Sequence, residues 1–187
     1  MQLKSIDQQV VVIVGASSGI GRSAALAFAK RGAKVAVAAR NQKGLNSLVE
    51  KITRSGGEAI AIPADVADFG QVCEIAQQTA ETFGGIDTWV HNAAAGMVAP
   101  FDDVTIEEFR RVIDVTLMGQ VYGAKVAIPY LKRSGQGSFI SISSMEGRRA
   151  LPLQSAYSTA KHGVEGFIES LRVELDRANA NINIASI

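Results

Sequence analysis

Cysteine, tryptophan and proline are scarce in this sequence. Its 187 residues include one cysteine, one tryptophan and four prolines. The single cysteine, Cys73, cannot form a disulfide within the chain. Its place among helical apolar positions predicts a small core residue rather than a nucleophile.

Long apolar runs and an excess of charge of one sign are also missing. No apolar run approaches the roughly 18 residues needed to span a bilayer, and residues 1–7 lack the layout of a secretory signal. The formal net charge is +1, which indicates no general attraction to nucleic acid or to an anionic membrane. We therefore expect a cytoplasmic protein that binds neither partner, and we expect no metal site.

The composition that remains is that of a globular protein, with 47% apolar and 20% charged residues. Its length predicts one domain, residues 1–187, with room for a sizeable core. Strand-like and helix-like patterns alternate along it. Strands are predicted at 10–14, 34–39, 59–62, 88–91, 138–142 and 182–187, and helices at 20–31, 44–55, 69–83, 106–134 and 155–178. Six β/α units predict an α/β fold with a doubly wound parallel sheet, the Rossmann arrangement.

Two helix starts carry capping signals. Asp68 with Gln71, and Thr105 with Glu108, have the spacing of a capping box. The helix after Thr105 is predicted to run unbroken to residue 134. In a parallel sheet of this kind, ligands bind at the carboxyl ends of the strands, where the polar motifs of this sequence lie.

A glycine-rich turn follows the first predicted strand. It contains Gly15, Ser17, Ser18, Gly19, Ile20 and Gly21. A helix start has unpaired N–H groups and a partial positive charge, and glycine lets a pyrophosphate approach the backbone. The spacing differs from the common G-x-G-x-x-G fingerprint, and a plain tight turn is the alternative interpretation.

A tyrosine and a lysine four residues apart, Tyr157 and Lys161, form the second signal. Residues at this spacing share a helix face, so both side chains can point into one cavity. Lowering a tyrosine pKa from about 10 to about 7 requires roughly 4 kcal/mol. A positive charge about 4 Å away supplies that only at an effective dielectric near 20, in a partly dry site. An exposed pair, with the lysine stem over the ring, is the alternative.

These motifs together resemble the short-chain dehydrogenase/reductase family over essentially the whole chain. The resemblance rests on the glycine turn, on Asp65-Val66 after the third strand, on His91-Asn92-Ala93-Ala94 after the fourth, on Ser143-Ser144 after the fifth, and on Tyr157-Ser158-Thr159-Ala160-Lys161. It implies an oxidoreductase that exchanges a hydride between a nicotinamide dinucleotide and a carbonyl or secondary alcohol.

The resemblance also implies roles for the catalytic residues. Tyr157 would exchange a proton with the substrate oxygen, Lys161 would lower the tyrosine pKa and hold the nicotinamide ribose, and Ser144 would orient the substrate oxygen. Ser143 is the competing serine, and the spacing to Tyr157 favours Ser144. The family usually has an asparagine where this chain has Thr116, whose hydroxyl can both donate and accept in a proton relay.

Cofactor binding is implied for a further set of residues. Asp65 would accept a hydrogen bond from adenine, and Asn92 would fix the loop over the adenosine ribose, with Val66 and Ala93 beside them. Each of the two polar residues could instead serve only a turn or a strand end.

The end of the second strand predicts NADP(H), with NAD(H) as the second choice. The position where an acidic residue often binds the ribose 2′-hydroxyl is Ala39, followed by Arg40. Arginine binds phosphate through charge-assisted hydrogen bonds, with Ser17 and Asn41 as helpers. The other basic residue typical of NADP-binding members is absent, because Ser18 stands there.

Other charged and basic side chains receive structural interpretations. His91, at a strand end, and His162, about 100° around the helix from Lys161, are both assigned to packing. The pair Arg148 and Arg149 could contact an anionic substrate, although a solvated loop is the favoured interpretation.

Family members usually continue past the sixth strand through a substrate lid to a seventh strand. We therefore expect this chain to be an incomplete view of a longer enzyme, a homo-oligomer in contact through the helices starting at Thr105 and Ser155. A non-catalytic dinucleotide-binding scaffold or regulator is the alternative function, and a methyltransferase is disfavoured because its chemistry has no use for Tyr157 and Lys161. The identity of the small-molecule substrate is not predicted.

Overall fold

A six-stranded parallel sheet forms the centre of the protein, as the sequence predicts. The computed structural model describes residues 4–187, so residues 1–3, part of the stretch without a secretory signal, lie outside the described residues. The strands are β1 (Val10–Val14), β2 (Lys34–Ala39), β3 (Ala59–Pro63), β4 (Thr88–His91), β5 (Gly137–Ser141) and β6 (Ile182–Ser186). Their order in the sheet is β3-β2-β1-β4-β5-β6, the order of the doubly wound dinucleotide-binding fold.

Helices cover both faces of the sheet. They are α1 (Gly19–Lys30), α2 (Gln42–Arg54), α3 (Phe69–Phe83), α4 (Ile106–Ile113), α5 (Gly119–Ser134) and α6 (Ser155–Arg177). Helices α1 and α2 share one apolar cluster with the sheet, while α3, α5 and α6 share the other. Among residues 4–187, no helix combines the length and the apolarity that crossing a membrane requires.

The apolar run of β1 fits its position at the centre of this sheet. All five of its residues are buried. Val11 and Ile13 pack in the cluster of α1 and α2, whereas Val12 and Val14 pack in the opposite cluster, as the two-residue period of a strand requires. Since β1 lies between β2 and β4, the chain reverses its winding there. That reversal opens a crevice at the carboxyl ends of β1 and β4.

Residues 106–134 are helical throughout, as predicted, but they do not form a single regular α-helix. A π-helical turn, Asp114–Met118, separates α4 from α5. The Thr116 hydroxyl within it accepts a hydrogen bond from Ala95 N and donates one to Ala95 O, both at 2.9 Å. These two bonds join the helix to the loop after β4. Turns of the π type often occur at functional sites.

The two capping signals have different outcomes. The box of Thr105 and Glu108 is complete. At α3, the Asp68 side chain accepts from Gln71 N at 3.1 Å, as predicted. The Gln71 side chain, however, bonds the Asp68 carboxylate and accepts from Asp65 N at 2.8 Å. The predicted return bond, from the Asp68 backbone N–H to the Gln71 side chain, is therefore wrong, because the loop after β3 competes for the Gln71 amide.

The two histidines also differ. His91 is fully buried, and the Trp89 indole N–H donates to His91 Nδ1 at 3.4 Å, so its packing role is confirmed. His162 is exposed, and the packing role predicted for it is wrong, because its face of α6 is turned away from the sheet. Cys73 is half-buried on α3.

A close approach of α5 to β4 generates a stability prediction. A Cβ on Gly123 would lie 2.5 Å from His91 Nδ1, whereas a Cβ on Gly166 of α6 would meet nothing within 4 Å. We expect Gly123→Ala to lower the free energy of unfolding by about 1–3 kcal/mol through overpacking. Gly166→Ala is the matched control, and it should stabilise the helix by up to about 1 kcal/mol. Urea unfolding of both variants checks this, and equal effects would contradict the close approach.

The buried imidazole generates a pH prediction. Burial, reinforced by the nearby charge of Lys161, lowers the pKa of His91 to about 3. The unfolded chain therefore binds this proton more tightly, and stability is lost as pH falls below about 6.5. Between pH 7 and pH 5 the protein should lose about 2 kcal/mol more of its unfolding free energy than His91→Asn does. His162→Asn, the exposed counterpart, should retain the full loss. A parallel decline in all three proteins would show that His91 is not the source.

Candidate functional site

A cleft of about 740 Å³ opens at the carboxyl ends of β1 to β4. It is lined by Gly15, Ser17, Ser18, Gly19, Ile20, Ala39, Arg40, Asn41, Ala64, Asp65, Val66, Asn92, Ala93, Ala94 and Val115. The structure thus brings together most of the residues predicted to bind the cofactor. Gly21, Tyr157 and Lys161 are the predicted cofactor residues that do not line it.

The glycine turn is built for close backbone contact. Gly15 has φ +82°, and a Cβ there would lie 2.7 Å from Ala93 N. A Cβ on Gly21 would lie 2.3 Å from Gly15 O, so Gly21 serves the packing of α1 against the turn rather than the cleft wall. The turn needs glycine at both positions, and it is fastened to β4 by Asn92 Nδ2, which donates to Gly15 O at 3.0 Å.

The start of α1 is free to bind an anion. Ser18 precedes the helix, and its side chain makes no capping hydrogen bond. Unpaired N–H groups at a helix start, with the dipole behind them, favour a phosphate. The fit to a dinucleotide therefore rests on an uncapped helix end next to a turn that excludes side chains.

Polar groups gather at the end of β2. The Asn41 side chain accepts from Gly44 N at 3.0 Å and so caps α2. Ser17 also packs against Gly44, with its Cβ 3.1 Å from the place a Gly44 Cβ would take. Arg40 is exposed at the cleft wall. Ser17, Arg40 and Asn41 therefore meet at one corner, with no acidic side chain at Ala39 to repel an anion.

Asp65 is held by a residue that the sequence did not single out, Arg111 of α4. Arg111 Nη2 donates to Asp65 Oδ2 at 2.7 Å, and Ala67 N donates to Oδ1 at 3.0 Å. Burial alone would raise the pKa of Asp65, but these two donors and the charge of Arg40 hold it below its ordinary value. Nothing in the local sequence distinguishes Arg111 from Arg110, which is exposed. Only the fold shows which of the two reaches Asp65.

Tyr157 and Lys161 lie on one face of α6, as their spacing predicts. Lys161 is 2% exposed, with Nζ 5.6 Å from the centre of the Tyr157 ring. The ammonium donates to Ile142 O at 2.8 Å. Burial lowers the pKa of Lys161 to about 8, and Glu165 acts in the opposite direction. The exposed pair considered as the alternative does not occur, because the lysine is inside the protein.

Two packed segments hold Tyr157 in place. Val112 of α4 packs with Ala156 and Ala160, the buried residues on either side of the tyrosine. Gly96 lies against the ring, where a Cβ would be 3.3 Å from Tyr157 Cδ2. The loop after β4 therefore runs from the cleft, where Asn92 and Ala93 line the wall, to the Tyr157 ring.

The two serines after β5 face different surroundings. Ser144 precedes the short 3-10 turn Met145–Gly147, and its Oγ accepts from Glu146 N at 3.2 Å. Ser143 Oγ lies under Gly147, next to α6. The Thr116 hydroxyl is engaged by Ala95, so it acts on the loop after β4, and its place in a proton relay stays a prediction. Among residues 4–187, no group of three or more His, Cys, Asp and Glu is placed to hold a metal ion.

Comparison with known proteins gives a consistent result. The family model for short chain dehydrogenase matches residues 9–187. An uncharacterized oxidoreductase, YxnA of Bacillus subtilis, is 40% identical over 188 residues, covering 100% of this chain and 53% of that protein. Dehydrogenase/reductase SDR family member 7B of Mus musculus is 32% identical, covering 95% and 56%. The chain spans about half the length of the curated relatives it matches.

Solved structures agree with the sequence comparison. A short chain dehydrogenase of Bacillus anthracis superposes with a TM-score of 0.91 at 28% identity, covering 97% of this chain and 73% of that one. A short-chain type dehydrogenase/reductase of Mycobacterium marinum gives 0.89 at 35% identity, covering 95% and 70%. The family model, the relatives and the shared sheet lead to one assignment: this chain belongs to the short-chain dehydrogenase/reductase family of oxidoreductases.

Proposed function

We propose that this protein transfers a hydride between NADP(H) and a carbonyl or secondary alcohol substrate, with Tyr157 as the acid and base. One observation carries the proposal. Lys161 is buried beneath the Tyr157 ring, and the loop that covers that ring also forms a wall of the cleft. A proton-transfer pair and a phosphate cradle thus share one edge of the sheet.

The chemistry of Tyr157 depends on the dryness of its surroundings. The ammonium of Lys161 favours the phenolate, and a cation about 4 Å from a phenol oxygen is worth about 4 kcal/mol at an effective dielectric near 20 but only about 1 kcal/mol in water. Val112 and Gly96 pack around the tyrosine and exclude water from one side. Tyr157 would give its proton to the substrate oxygen in reduction and take it back in oxidation, and Ser144 would hold that oxygen.

A bound nicotinamide dinucleotide would supply the hydride exchanged with the substrate carbon. Asn92 holds the glycine turn in the shape that receives the pyrophosphate. Asp65, kept ionised by Arg111, would accept from the adenine amino group, beside Val66 and Ala93. Lys161 would hold the nicotinamide ribose.

The preference for NADP(H) over NAD(H) rests on the corner at the end of β2. Ala39 supplies no carboxylate to bind a 2′-hydroxyl or to repel a 2′-phosphate. Arg40 is exposed and carries its charge at the cleft wall. Ser17 and Asn41 offer further donors at the same corner.

The domain organisation, assembly and location of the protein are proposed as well. We propose that residues 1–187 form one dinucleotide-binding domain of a cytoplasmic homo-oligomer that acts on a small molecule.

The first test removes the proton donor. Tyr157→Phe should lower turnover by about 10²–10⁴ and leave the dissociation constant of NADPH nearly unchanged, because only a hydroxyl is lost. Tyr130→Phe, whose ring packs under Arg133, is the matched control with normal turnover. Steady-state rates on a panel of carbonyl compounds and a cofactor titration check both. A rate above about a tenth of the parent's would assign the proton to another residue, and a parent that binds NADPH without turning over any substrate would favour the non-catalytic alternative.

The second test concerns the cofactor. Arg40→Ala should raise the dissociation constant of NADPH by about tenfold or more, the value of a hydrogen bond to a charged group, and leave that of NADH within about twofold. Lys43→Ala, which removes an exposed charge that does not line the cleft, is the control and should change neither constant. Tighter binding of NADH by the parent protein, or an equal loss for both cofactors, would contradict the preference.

A further inference from the structure

An acidic residue, Glu165, lies on α6 behind Tyr157 and Lys161. Glu165 follows Lys161 by four residues on α6, so the two side chains emerge from the same helix face. In the described part of the chain the two form no ion pair within 4.0 Å, because the glutamate is turned toward the sheet. Ser186 of β6 donates to Glu165 Oε1 at 2.5 Å.

Both ends of this pair are fixed to neighbouring segments of the sheet. Lys161 Nζ is bound to Ile142 O at the end of β5, and Glu165 is bound to β6. The two strands are joined in register, with Ser141 opposite Ser186. The pairing of the two strands therefore places the anchors of the ammonium and of the carboxylate side by side.

Gly147 packs against α6 next to both residues. A Cβ on Gly147 would lie 2.8 Å from Glu165 Cγ and 3.1 Å from Lys161 O, so the turn after Ser144 presses on α6 at this point. Gly147 is buried. Lys161 is buried and Glu165 is half-buried, so a charge interaction between them keeps more of its strength than one between two fully exposed groups would.

We propose that Glu165 is a positioning residue whose carboxylate keeps the buried Lys161 positively charged, and so keeps Tyr157 able to exchange its proton at neutral pH. This inference rests on the proposed function of Tyr157 and Lys161. It assigns to Glu165, and to its anchor Ser186, a role in the same site that neither reaches by direct contact.

The charged groups around the pair support this assignment. Lys161 faces Tyr157 and Glu165 on its own helix and His91 of β4. His91 is neutral at physiological pH, because burial lowers its pKa, and so it neither helps nor opposes the ammonium. Glu146, a further buried carboxylate beside α6, is bound by Ser158 Oγ at 2.6 Å. Glu165 is the carboxylate that raises the pKa of Lys161 against the effect of burial.

Glu165 itself stays ionised. Burial alone would raise its pKa, but neighbouring serine hydroxyls and the charges of Arg148 and Arg172 hold it below the ordinary value. A permanent negative charge thus lies behind a lysine whose pKa is only about 8. Without it, burial would act on the pKa of Lys161 unopposed and lower it further.

The direct test titrates Lys161 without requiring turnover. Protein with isotope-labelled lysine side chains is followed by NMR, and the Lys161 signal is assigned with Lys161→Arg. In Glu165→Gln, which keeps the shape and removes the charge, the pKa of Lys161 should fall by about one unit. Glu165→Asp keeps the charge and should restore most of the parent value. Glu169→Gln, one turn further along α6 and exposed, is the matched control and should leave it unchanged.

Turnover provides the second readout. The pH at which kcat/KM for alcohol oxidation reaches half its maximum should rise in Glu165→Gln and stay in place in Glu169→Gln, because loss of the lysine charge disfavours the phenolate. An unchanged Lys161 titration in a folded Glu165→Gln protein would overturn the inference even if the enzyme is active. A shifted titration in a protein without turnover would uphold it and count against the proposed function alone.

Discussion

The contact between the ends of β1 and β4 is the constraint on which the rest of the site depends. Gly15 meets Ala93 at a distance that leaves no room for a side chain, and Asn92 fastens the same turn with a hydrogen bond. This contact fixes where α1 begins, and therefore where its unpaired N–H groups point. It also fixes where the loop after β4 leaves the sheet on its way to Tyr157. The turn proposed to bind phosphate and the pair proposed to transfer the proton are therefore both positioned by this junction.

The electrostatics of the two ends of the site run in opposite directions. At the proposed adenine end, Arg111 and Arg40 keep Asp65 ionised in a half-buried place. At the proposed catalytic end, burial draws Lys161 toward its neutral form, and Glu165 opposes that change. An acceptor for a ligand must stay charged over a wide pH range, whereas a proton-transfer pair works best with a pKa near neutrality. The charged neighbour and the degree of burial of each group account for this difference.

Much of the fold was predictable because its signals are local. The β-branched run of β1 and the alternation of strand and helix predicted six strands and the confirmed sheet, and the spacing of Tyr157 and Lys161 predicted their shared face. The errors arise where a side chain bonds to a segment outside its own helix. The π turn forms where Thr116 binds Ala95, Gln71 turns to Asp65 N, and Arg111, rather than Arg110, reaches Asp65. The error for His162 has a different cause. The period of a helix gives the angle between two side chains, but it does not show which of the two faces the sheet.

The π turn at Asp114–Met118 sets the rotational phase between two helices. An extra residue in a helical turn sets every following side chain back by about 100° relative to its direction in an unbroken α-helix. Helix α5 therefore presents Ala124, Ala127 and Leu131 to the sheet core, while α4 turns Arg111 to Asp65 and Val112 to α6. A regular α-helix without the π turn would place only one of these two sets of side chains in its observed direction. The π turn therefore allows the residues before it to support the site and the residues after it to pack against the sheet.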